Sequence, residues 1–122
     1  SCDVLVVGGG PAGAAAAYRS YVAQHPADAF AWHRLGASQV GLRQLPEAIA
    51  SLKRAVAAGG GTASDFYNLA CAHALSGDAE QALGYVQKAI DAGLRNRRQY
   101  ESDGDLASLR ELPRFREMMQ RL

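Results

Sequence analysis

The sequence has few of the residues that usually announce chemistry or a span. Its 122 residues hold two cysteines, three histidines and one tryptophan. Cys2 and Cys71 are far apart and form no C-x-x-C pattern, which argues against a disulfide framework or a zinc site and for a reducing compartment. The histidines His25, His33 and His73 lack the i, i+4 spacing of a helical metal pair. Serine, histidine and acid fall into no motif that would mark a nucleophile with its base. No apolar run approaches the roughly 20 residues needed to cross a bilayer, and the apolar start lacks the positive flank of a secretory signal. Ser1 in place of an initiator Met reads as a processing scar. The formal net charge of +1 gives no reason to expect nucleic acid or a membrane as partner. Isoleucine and threonine are scarce whereas alanine, leucine, glutamine and arginine abound, a balance favouring helix over sheet. The length allows one domain with a modest core.

The opening is unlike the rest. Val4-Leu5-Val6-Val7 suits a short buried strand, and Gly8, Gly10 and Gly13 spell G-x-G-x-x-G ahead of an alanine run at 14–17. Such a turn lets a pyrophosphate approach a helix N-terminus. Over about its first 18 residues the chain resembles the N-terminal fingerprint of FAD-dependent oxidoreductases. That resemblance implies an alternative reading in which an FAD- or NAD(P)-binding oxidoreductase fragment uses Gly8, Gly10 and Gly13. The fingerprint also needs a second strand ending in an acid about 20 residues on. Here the chain reads "HPADAFAWHRLG", a helix entry, with Asp28 at the N-cap position. One strand makes no sheet, so no cofactor is expected.

What fills the chain is a repeat. Residues 29–62 and 63–96 align without a gap, each 34 residues long. Trp32 matches Phe66, Leu35 matches Leu69, Gly36 matches Ala70, Ala48 matches Ala82, Leu52 matches Val86 and Ala55 matches Ala89. Each block reads as two antiparallel helices with apolar positions at i, i+3 and i+4, small residues marking the close crossings. Turns fall at Arg43–Pro46 and Gly77-Asp78, and glycines at 59–61 and 93 end the second helices. This pattern resembles the tetratricopeptide repeat (TPR) family. An all-α fold is therefore expected, TPR-like helix-turn-helix repeats stacked as a short right-handed solenoid. Its divisions are a non-helical glycine-rich leader over 1–13, a half repeat over 14–28, the two full repeats, and a C-terminal cap over 97–122. In the cap, Asp103 or Asp105 is placed to cap a turn at 106–109, and Pro113 to begin a last helix with Phe115, Met118, Met119 and Leu122 inward.

The resemblance also implies a function. First helices of such repeats line a concave face, and the family's groove positions fall here on Phe30, His33, Arg34, Ala37 and Val40, then Ser64, Tyr67, Asn68, Cys71 and Ala74. The chain is expected to be non-catalytic, a cytoplasmic scaffold or adaptor holding a peptide or helix of another protein. Asn68 and Arg98 match two positions of the family's carboxylate clamp, while His33, Ala37 and Ser102 depart from it. The basic run Arg95, Arg97 and Arg98 favours an acidic partner. Trp32 is expected to be a structural keystone. Pairing of the leader with that of another copy is the expected route to self-association.

Overall fold

The computed structural model describes residues 10–122, and all the described secondary structure is helical. Seven α-helices follow in order: α1 (Gly10–Gln24), α2 (Ala29–Gly41), α3 (Leu45–Ala57), α4 (Ala63–Leu75), α5 (Ala79–Asp91), α6 (Arg97–Ser102) and α7 (Pro113–Gln120). A 3-10 segment, Gly104–Leu109, separates α6 from α7. The repeat is explicit in these bounds, because α4 and α5 begin and end 34 residues after α2 and α3. The strand expected over 4–7 and Gly8 of the glycine motif lie outside the described residues. The leader boundary needs correction: residues 10–13, read as non-helical, form the first turn of α1. Alanine-rich sequence after a single positive-φ glycine, Gly10 at +76°, carries the helix further back than the repeat pattern reaches.

Each hairpin is closed by side chains that satisfy orphan helix-end groups. Asp28 caps α2, accepting from the amide of Ala31 at 3.1 Å. Thr62 and Asp65 form a reciprocal capping box at the start of α4. Asp78 caps α5 one residue after Gly77, whose φ of +84° supplies the left-handed turn. At the equivalent turn of the first hairpin the left-handed residue is Arg43, at φ +62°, and its guanidinium donates back to the carbonyl of Val40.

Small residues stand where the helices cross. Ala48, Ala55, Ala70, Ala82 and Ala89 are fully buried, and a Cβ on Gly36 would lie 2.5 Å from Cγ of Leu52. Around them a continuous core runs from Val40 and Leu52 through Leu69 and Val86 to Tyr100, Leu106, Phe115 and Met119. A smaller cluster, Ala15, Val22, Ala31 and Leu35, holds α1 against α2, with Tyr18 and Trp32 packed on it. Trp32 is half-buried rather than enclosed. Its indole N–H donates to the carbonyl of Pro26 at 2.8 Å, and the guanidinium of Arg54 stacks 5.0 Å from the ring centroid.

The C-terminal segment closes the stack as its composition indicates. Asp103 caps the 3-10 segment through the amide of Asp105, and Pro113 opens α7. Phe115, Met118 and Met119 point inward, while Leu122 is half-buried.

Candidate interaction surface

The two inner helices, α2 and α4, touch each other as well as their hairpin partners α3 and α5. They are joined by a buried polar contact: Nδ1 of His33 on α2 lies 2.7 Å from Oδ1 of Asp65 on α4. Burial pushes the Asp65 carboxyl upward, but hydrogen bonds from His33 and from the Thr62 backbone outweigh it and hold the group below its ordinary value. The carboxylate is thus ionised near neutrality and only accepts, so His33 carries its proton on Nδ1. Asp65 was not among the residues read as functional. Its signal was the Thr62-x-x-Asp65 spacing, which announces a cap but not a bond to the neighbouring hairpin.

The residues assigned to the groove divide sharply by exposure. His33, Ala37, Tyr67, Asn68 and Cys71 are all buried, Tyr67 at 3 % exposure and Asn68 at 0 %. The C-terminal cap accounts for Tyr67. Its hydroxyl donates to Oδ2 of Asp103 at 2.5 Å, and its ring lies 5.5 Å from that of Tyr100. Burial first, and the Asp103 bond second, hold the Tyr67 hydroxyl well above the ordinary tyrosine range. Arg110 donates to the Asp103 carbonyl, and Arg43 reaches Oδ1 of Asp105 at 3.0 Å. One network therefore fastens the cap to α4 and to the turn after α2. Asn68 is different: both its amide nitrogen and its oxygen are buried without a hydrogen-bond partner. Cys71 is disulfide-bonded, against the expectation that the cysteines form no disulfide. With Cys71 paired, the cysteine argument for a reducing compartment falls away.

What stays open lies at the α1–α2 end. Phe30, in the first turn of α2, is 61 % exposed, the largest value among the exposed large apolar residues, and Tyr21 follows at 43 %. A cleft of about 490 Å3 is lined by Phe30, His33, Arg34, Gly60, Ser64 and Asp65 among others. Phe30 also lines a second cleft, of about 350 Å3, walled by Ala17, Tyr18, Tyr21 and Asp28. The Arg34 guanidinium stands 5.0 Å from the Phe30 centroid, over the ring face. Arg98 is exposed on α6, which packs on the 3-10 segment and α7 rather than forming part of α2 or α4. Arg97 beside it pairs with Glu101 at 3.1 Å.

No protein-family model matches the sequence, and neither the curated proteins nor the solved structures yield a match. The surface is therefore read from its own chemistry. Among the described residues no group of three His, Cys, Asp or Glu side chains could hold a metal ion, and no helix is long and apolar enough to cross a membrane. Of the glycines in the alternative cofactor motif, Gly10 and Gly13 lie in α1.

Proposed function

We propose that this chain is a non-catalytic interaction module of tetratricopeptide type, which binds a peptide or short helix of another protein. The observation that carries the reading is Phe30, a large aromatic ring held in the open on an inner helix, lining two clefts and beneath a guanidinium. Leaving such a ring in water forgoes the stabilisation that burial would give. Together with Tyr21 it makes an exposed apolar patch of the kind that marks recognition surfaces. An incoming apolar side chain fills a cleft beside the ring, and Arg34 favours an acidic neighbour in the same peptide. The anchors are thus Phe30 and Arg34, with Tyr18 and Tyr21 as the second wall. Tyr67 and Asn68, assigned to the groove from the family's positions, act beneath it.

The test is selection from a random peptide display library, followed by titration of the enriched peptides. Phe30→Ala weakens binding by roughly 1 to 2 kcal/mol, and Arg34→Ala weakens it more at low salt than at high. Gln87→Ala, on the exposed side of α5, leaves it unchanged. Failure to enrich any apolar–acidic sequence, or an equal effect from Gln87→Ala, overturns the reading.

A further inference from the structure

In the C-terminal cap a cleft of about 320 Å3 is lined by Arg97, Arg110 and Arg116, together with Glu101 and Glu111. Phe115 and Met119, buried in the core, line it as well. The three guanidiniums come from α6, from the end of the 3-10 segment and from α7, so no local sequence pattern announces them. Two of them are already served. Glu101 takes Arg97 at 3.1 Å, and Glu111 takes Arg116. Arg110 is the odd one. A terminal nitrogen donates to the carbonyl of Asp103 at 3.0 Å, but Nε is enclosed without a hydrogen-bond partner, and among the described residues no carboxylate pairs with the side chain. A half-buried guanidinium with an unmet donor is under-satisfied, and an anion is what satisfies it. We propose that this cleft binds an aryl phosphate monoester, in a partner protein the phosphotyrosine side chain, with Arg97, Arg110 and Arg116 around the phosphoryl group. The site is separate from the Phe30 surface and does not rest on the functional reading above.

Charge decides for phosphate over carboxylate. A carboxylate brings one negative charge to arginines of which two already hold carboxylates. A phosphate monoester brings a charge of about −1.5 to −2 near neutrality and three strong acceptor oxygens, and arginine forks take such oxygens two at a time. Displacing the glutamates costs little, because their side chains are 43 % and 84 % exposed and exposed ion pairs contribute little. Size decides for an ester over the free ion. The volume lies at the lower end of the roughly 300–1,000 Å3 of clefts that take small organic ligands, more than a bare phosphate fills. Phe115 and Met119 offer the ring an apolar wall, and a thioether against an aromatic edge is a favourable contact.

Occupancy also steadies the cap. Arg110 holds the Asp103 carbonyl, and the Asp103 carboxylate receives the Tyr67 hydroxyl of α4. An anion that fixes Arg110 therefore slows local opening of the segment after α6.

The experiment titrates the full chain by calorimetry at low salt with N-acetyl-phosphotyrosinamide, N-acetyl-phosphoserinamide, N-acetyl-tyrosinamide and inorganic phosphate. The phosphotyrosine compound is expected to bind about fivefold or more tightly than the phosphoserine compound or inorganic phosphate, and the unphosphorylated compound not at all. Arg110→Gln abolishes binding. Where that variant loosens the cap, Arg116→Gln keeps the test, since its side chain is 59 % exposed; it weakens binding about threefold or more. Arg114→Gln makes the same charge change on the same helix but outside the cleft, and leaves affinity near the parent value. Glu111→Gln removes a competing carboxylate and tightens binding about twofold. Amides of residues 103–109 exchange more slowly in the saturated protein than in the free one. Equal affinity for inorganic phosphate assigns the cleft to the free ion and overturns the aryl ester. Equal losses from Arg114→Gln and Arg116→Gln reduce the effect to overall charge and overturn the site, as does the absence of any binding. None of these probes depends on Phe30, so the peptide reading stands or falls by its own titration.

Discussion

At the scale of single residues, three side chains carry information that their positions in the repeat do not. Trp32 occupies the large position of its hairpin yet remains half in solvent, held by a hydrogen bond to Pro26 and by Arg54 across its face. Truncation there removes less buried surface than in an enclosed site. Trp32→Ala is therefore expected to cost about 2 kcal/mol, below the 3 to 5 kcal/mol typical of a fully buried aromatic, and urea denaturation measures it. Gly36 is the opposite case, invisible in size and strict in geometry. A methyl group there meets Leu52, so Gly36→Ala is expected to destabilise by about 1 to 3 kcal/mol through overpacking. A melting temperature equal to that of the parent would show that α2 and α3 separate freely. Asn68 buries a carboxamide with neither end paired, and an unsatisfied buried polar group costs about 1 to 3 kcal/mol. Asn68→Leu, close in volume, is thus expected to raise stability by about 1 kcal/mol or more. Loss of stability in that variant would mean that the amide finds partners in solution.

At the scale of elements, the cap is fastened by polar groups as much as by apolar contact. Asp103 receives the Tyr67 hydroxyl and the Asp105 amide through its carboxylate, while its carbonyl receives Arg110. Tyr67→Phe keeps the ring and deletes one donor, leaving a buried carboxylate under-satisfied. The expected cost is about 1 to 3 kcal/mol, with faster amide exchange confined to residues 103–109. Uniform acceleration along the chain would instead mean that cap and hairpins unfold as one unit. The capping box at α4 was legible because Thr62 and Asp65 are three apart in sequence. The Tyr67–Asp103 bond, between residues 36 apart, was not. Nothing in a sequence pattern says which loop acid folds back onto which helix. For the same reason the residues assigned to the groove divided as they did: helical phase tells which positions share a face, but not whether a later segment covers it.

At the scale of the molecule, pH acts through groups whose burial differs between folded and unfolded chains. Burial above all lowers His73, with a smaller opposing effect of Asp78. The unfolded chain therefore binds the proton more readily, and stability present above the ordinary histidine pKa of 6.5 is lost as pH falls through that value. Asp65, also lowered, extends the loss below 3.8. In the other direction burial raises Tyr67 and Tyr100, so their contribution is complete below pH 10 and declines above it. Melting temperature against pH is accordingly expected to show a plateau between about 6.5 and 10. A maximum near pH 5 would remove His73 from the account, and His73→Gln is expected to flatten the first acid step. By itself the sequence determined the hairpins, their 34-residue period, their turns and caps, and the small residues at the crossings. These follow from local backbone preference and from apolar spacing along one helix, both written in neighbouring residues. Only the tertiary structure decided that His33 meets Asp65, that the cap buries Tyr67, and that Phe30 is left in the open. Those outcomes depend on which surfaces come together when hairpins stack, and burial is a property of the partner across the gap as much as of the residue itself.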